Sequence, residues 1–166
     1  MKKKHKGFSL IELLIVVAII LIIAAIAIPN LMRARIAANE SSAAAQLRTV
    51  NTAEVSYVTA YPASGYGNLS VLGGAIPCTP AAATACLIDN SLASDYNGVG
   101  KSGYHFKTVA GASNSQYTAA AYPITVNTTG VNSFCSIEDA VVRKDSSGAD
   151  QSGAHDTCGA LPALGN

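Results

Sequence analysis

The sequence predicts an α+β fold: one long N-terminal helix, half membrane-spanning and half amphipathic, packed on a small antiparallel sheet of about four strands. Three observations predict it. The first is an unbroken apolar run from Leu13 to Ile28, made of twelve Leu/Ile/Val and four Ala. The second is a stripe beyond it, Ile36, Ala43, Leu47, Val50, Ala53, Tyr57 and Tyr61. It advances by 7, 4, 3, 3, 4 and 4 residues, which traces one face of a helix. The third is a set of short strand-like runs in the last third of the chain, several of them separated by Gly-containing loops.

Extended back to Phe8, the apolar run reaches 21 residues and is interrupted only by Ser9 and Glu12. That length spans a bilayer as a helix. Twelve branched aliphatic residues contribute about −4 to −7 kcal/mol to insertion, and one central charge costs on the order of 3 kcal/mol, so the membrane wins. Lys2, Lys3, Lys4 and Lys6 precede the run and orient the N-terminus toward the cytoplasm. Arg33 and Arg35 on the far side weaken that bias without reversing it. The helix is expected to continue past Pro29 to about residue 60, with Arg35, Glu40, Arg48 and Glu54 mostly off its apolar stripe. Pro62 and the Ser64-Gly65 pair end the pattern.

From 62 to about 100 the chain is rich in Pro, Gly, Ala and Ser and weakly periodic. It reads as a long surface loop with a short helix near 83–92. Strands are expected at Gly103–Val109, Gln116–Val126, Ser133–Ile137 and Ala140–Arg143, and a last loop runs from Asp145 to Asp156. All four cysteines, Cys78, Cys86, Cys135 and Cys158, lie beyond residue 61. An even count in a small module outside the cytosol reads as two disulfides. The sequence allows three pairings; Cys78–Cys86 and Cys135–Cys158 are favoured because each joins near neighbours. Zinc fits poorly, since no C-x-x-C spacing occurs and the three histidines are scattered.

Glu12 is the anomaly. A secretory signal also has a basic start and an apolar stretch, and Ala25-Ile26-Ala27 would serve as its cleavage site. The sixteen-residue run slightly exceeds the usual ~7–15 of such a region. Neither that reading nor a plain uncleaved anchor explains a carboxylate, which both would do better without. Lys6-Gly7-Phe8-Ser9-Leu10-Ile11-Glu12 does: it resembles the N-terminal signal of type IV prepilins and type II secretion pseudopilins. Val16-Val17-Ala18-Ile19-Ile20 and Ala24-Ala25-Ile26-Ala27-Ile28-Pro29 also match that family's pattern, so the resemblance covers about residues 6–50. One departure is Leu21, where many pilins carry a Gly.

The resemblance implies cleavage after Gly7 and N-methylation of Phe8 by a membrane peptidase, with the apolar run kept on the mature protein. It also implies assembly through Phe8, Glu12 and Pro29. The new α-amine has an ordinary pKa near 8, so it is largely cationic at neutral pH. Phe8 and Glu12 stand one helical turn apart; in a bundle of helices the amine of one subunit can instead meet Glu12 of its neighbour. The implied organisation is a leader at 1–7, an assembly helix at 8–29, its amphipathic half at 30–61 and a globular head at 62–166. The implied localisation is the bacterial inner membrane, with the N-terminus cytoplasmic and the head periplasmic. A surface pilus follows, or a periplasmic pseudopilus used for protein export. Partners would be further copies of the chain, the prepilin peptidase/N-methyltransferase and an inner-membrane assembly machine.

Other functions find little support in the residues. Removing 1–7 leaves seven Lys/Arg against ten Asp/Glu, a net charge of −3 before termini. That is poor for phosphate binding and disfavours a DNA-uptake pilin. No nucleophile motif, P-loop or dinucleotide motif is present, so no enzyme is expected, and no cofactor. His105 reads as structural. Asp145, Asp150 and Asp156 are the weak candidates for calcium, which some pseudopilins bind in this region, but their spacing matches no EF-hand loop.

Overall fold

The computed structural model describes residues 9–111 and 114–165. The chain divides into two compact units, Met1–Arg35 and Ile36–Asn166. Helix α1, Leu10–Ala60, contains Pro29 in its interior. In the first unit the large hydrophobic side chains from Leu10 to Met32 are uncovered. Burying a Leu, Ile or Val side chain is worth about 1.5–3 kcal/mol. A surface of this kind therefore needs lipid or neighbouring helices to cover it.

The second unit has an α+β architecture like that of type IV pilins: the amphipathic part of α1 packs on a four-stranded antiparallel sheet. The strands are β1 (Tyr104–Ala110), β2 (Tyr117–Pro123), β3 (Ser133–Ser136) and β4 (Arg143–Asp145), in spatial order β1-β2-β3-β4. Ala43, Leu47, Val50, Ala53 and Tyr57 of the helical stripe are buried with Tyr104, Phe106, Tyr117, Ala119, Ala121 and Phe134 of the sheet. Small residues at 119–121 let both faces of β2 be covered. Ala120 and Cys135 belong to a second cluster with Cys158 of α4 (His155–Ala160), on the face opposite α1.

Three expectations require correction. Residues 62–100 are not a surface loop: Leu69 and Leu72 of α2 (Leu69–Leu72), with Ile88, Leu92 and Ala93, enter the core. The short helix expected near 83–92 is α3, Asn90–Ala93, where Asp89 caps the backbone N–H of Leu92. It runs directly into a 3-10 turn, Ser94–Asn97. The fourth strand starts at Arg143, not Ala140. Ala140 takes a left-handed φ of 58° and its N–H bonds to Ile137, so 137–141 forms a turn before pairing resumes at Arg143 opposite Cys135. Helix α4, absent from the sequence reading, occupies the chain around Cys158, where low-propensity Thr157 and Gly159 hide any helical signal.

Candidate functional site

Glu12 stands in the first turn of α1, where a carboxylate opposes the positive end of the helix dipole. Gly7 and Phe8 lie outside the described residues. The helix is continuous through Leu21 and Pro29. Leu at 21 favours it over Gly by somewhat less than the ~1 kcal/mol that separates Gly from Ala. Pro29 removes one backbone donor without ending it. The result is an apolar rod carrying one carboxylate near its start.

The polar residues of α1 in the second unit are the second functional feature. Glu40 receives the backbone N–H groups of Val131 and Asn132 at 2.9 and 3.0 Å, and the Asn132 side-chain amide on both oxygens at 3.0 and 2.9 Å. Burial alone would raise this carboxyl, but those Asn132 and Val131 donors outweigh it, with help from Lys144. They hold it below the usual carboxylate range. Beside it, Asn39 donates to the Thr129 carbonyl at 2.8 Å. The β2–β3 loop is thereby tied to the helix. The loop backbone also passes close to Tyr104: a Cβ on Gly130 would lie 2.0 Å from the Tyr104 hydroxyl, so only glycine fits there. Glu40→Ala is expected to destabilise the fold by about 2 kcal/mol, because three N–H donors lose their acceptor. Chemical denaturation measures the loss, and faster amide exchange at Val131 and Asn132 localises it.

Deeper in, Asn51 donates to Ser136 Oγ at 2.8 Å and to the Ala140 carbonyl at 3.1 Å, and accepts from the Tyr117 hydroxyl at 3.1 Å. Glu54 is fully buried, contrary to the expectation that it lies off the apolar stripe. Its Oε2 accepts the Gly67 N–H at 3.0 Å and its Oε1 has no partner. Burial pushes the Glu54 carboxyl up to about 7, against the smaller opposing effect of the Gly67 bond. The sequence carries only their period. Residues 40, 51 and 54 stand 7, 4 and 7 positions from Leu47, all within its helical period. Asp95 was also missed: it is buried and accepts the backbone N–H groups of Phe106 and Gly100, with His105 Nδ1 at 3.3 Å. His105 thus has a structural neighbour.

The sulfur pairs are Cys78–Cys86 and Cys135–Cys158. The second fixes α4 to β3 beneath the sheet. The three aspartates considered for calcium have separate partners. Asp145 binds the Ser147 N–H at 2.9 Å and Gln151 at 2.6 Å; Asp150 binds the Ser152 N–H at 2.8 Å; Asp156 lies 3.3 Å from His155. Among the described residues no three His, Cys, Asp or Glu side chains converge as a metal site. His155 also meets Glu138 at 2.9 Å, and Glu138, with Asp156 after it, raises the imidazole pKa.

Comparison with known proteins bears on the N-terminal segment. Residues 2–28 match the prokaryotic N-terminal methylation motif. The chain is 48% identical over 54 residues to the type IV major pilin protein PilA of Myxococcus xanthus, a match covering 32% of this chain and 24% of that protein. It is 58% identical over 45 residues to the type IV wide pilus major component PilA4 of Thermus thermophilus, covering 27% of this chain and 34% of that protein. The chain therefore spans only a quarter to a third of the length of these curated relatives. No solved structure matches it.

Proposed function

We propose that this chain is a pilin-like structural subunit. It is cut after Gly7, methylated on Phe8, and polymerised through its N-terminal helix into a surface filament. The observation that carries this reading is the register of Glu12 on an uncovered apolar helix, inside a segment that matches the methylation motif. The chemistry is assembly. In the membrane the apolar rod is covered by lipid; in the filament it is covered by neighbouring rods, and the Phe8 amine of one subunit neutralises Glu12 of the next. The carboxylate is tolerated in the membrane because assembly supplies its partner. On this reading the partners are further copies of the chain, a prepilin peptidase/N-methyltransferase and an inner-membrane assembly machine. The second unit faces the periplasm before export. The two relatives named as pilus components support a surface pilus over a periplasmic pseudopilus.

The intact mass of the mature protein tests this. The expected chain starts at Phe8 and is one methyl group heavier than the unmodified peptide. A chain starting at Ile28 would overturn the proposal in favour of an ordinary secretory signal.

A further inference from the structure

The second unit carries a groove walled by two cations, Arg48 and Lys144, and by one acid, Glu40. It lies between α1 and the β4 edge and has a volume of about 400 Å³. Ala37, Ala44, Phe134 and Leu164 give it an apolar floor, with Arg48 and Lys144 on its walls. Glu40 also lines it but is already occupied by the β2–β3 loop. Both Arg48 and Lys144 are exposed, and among the described residues neither forms an ion pair. By contrast, Lys101, Lys107 and Arg143 are paired with Asp89, Asp150 and Asp139.

The sheet register fixes which face this groove is on. Lys144 pairs with Phe134, which pairs with Ala121, and both Phe134 and Ala121 point toward α1. Helix α4 packs on the other face, through Cys158 against Ala120 and Cys135. Its Asp156 side chain, 3.3 Å from His155, is fully exposed, whereas the other ion-paired carboxylates, Asp89, Asp95, Glu138, Asp139 and Asp150, are at most 53% exposed. An acid on one face and a cationic groove on the opposite face cannot meet within one copy. Nor can a two-fold dimer satisfy both patches at once, since that would need them on a shared surface. Two distinct complementary patches instead give a head-to-tail contact, which repeats without closing when the rotation does not return to the start.

We infer that the Arg48/Lys144 groove is the docking surface for a second copy of this chain and receives that copy's Asp156. This rests on the filament reading and gives it a contact outside the apolar helix. Charge complementarity between groove and acid gives the contact its specificity, and the apolar floor adds buried area when a second copy covers it.

The test is charge reversal in the full-length chain, with sheared filaments weighed against total chain in the membrane. Arg48→Glu and Asp156→Arg are each expected to lower filament yield roughly ten-fold, the effect of losing about 1.4 kcal/mol of coupling. The Arg48→Glu/Asp156→Arg double variant is expected to restore it, because the reversed charges meet across copies. Lys144→Glu should show a smaller loss that Asp156→Arg also relieves. All three substituted sites are exposed, and equal amounts of chain in the membrane show that folding is intact. Single variants that assemble like the parent, or a double variant no better than the worse single, overturn this contact while leaving the filament reading in place. A parent chain that makes no filaments overturns both.

Discussion

Glu12→Ala is expected to keep the chain in the membrane and abolish filaments. The two halves of that expectation have opposite signs for a physical reason. Removing the carboxylate makes insertion easier by on the order of 3 kcal/mol, since the charge is the one costly group in an otherwise apolar segment. In the proposed bundle the same change would leave the neighbouring Phe8 amine without a counter-ion in an apolar surround. Breaking one partner of such a desolvated pair costs about 3–5 kcal/mol. That penalty recurs at every subunit added, so elongation stalls. Membrane fractionation and filament yield, measured together, read the two effects separately. Filaments of normal yield from Glu12→Ala would remove Glu12 from the assembly mechanism. Glu12→Gln should fail as well, because it keeps the shape and loses the charge.

Glu54 gives the second large effect, and it is a pH effect. Its carboxyl is raised from 4.5 to about 7 in the fold by burial. A raised folded pKa means that the native state binds the proton more tightly than the unfolded chain does. The stabilisation from this group is therefore complete below about pH 4.5 and is lost as pH rises to about 7. At 1.36 kcal/mol per pKa unit the loss amounts to about 3 kcal/mol. Glu54→Gln cannot ionise and should not show it. Chemical denaturation of the Ile36–Asn166 unit from pH 4 to 9 measures the difference between the two proteins. The comparison matters because other groups titrate too. Glu40, Asp89, Glu138, Asp139 and Asp145 are held low and favour the fold as pH rises, whereas His155 is held high and favours it less. Subtracting the Gln variant isolates Glu54. Parallel profiles would show that the buried carboxyl is already compensated.

Why the helix tolerates such an acid is a question of placement. Glu54 Oε2 fixes the Gly67 N–H where the chain turns back after α1, and α2 then delivers Leu69 and Leu72 to the core. Glu40 performs the same service for the β2–β3 loop at 131–132, and Asn51 for the turn after β3. Three polar side chains on one helical face thus locate three separate segments. An all-apolar face would bury as much area but would not choose between registers of those loops.

The apolar run, the Gly7–Phe8 junction with its carboxylate five residues on, the helical stripe and the approximate places of the first three strands are local patterns. They repeat with the period of the element that they form, and a reader of the sequence can count them. The fourth strand was misplaced because its limits depend on a turn at Ala140 and on pairing with Cys135, not on its own three residues. Residues 62–100 looked like loop because their core contributors, Leu69, Leu72, Ile88 and Leu92, are too sparse to show a period. Glu40, Asn51 and Glu54 lay within the helical period, yet their partners are 92, 85 and 13 residues away, so their inward direction was not readable.

What the sequence determined by itself, then, is the long apolar helix, the match to the methylation motif and the α+β plan, because these are local patterns. Only the tertiary structure decided which polar residues of α1 face inward and which cysteines meet. It alone set Arg48 and Lys144 on one face of the sheet and Asp156 on the other. Those outcomes depend on strand register, and each one-residue step of register exchanges the two faces of a sheet.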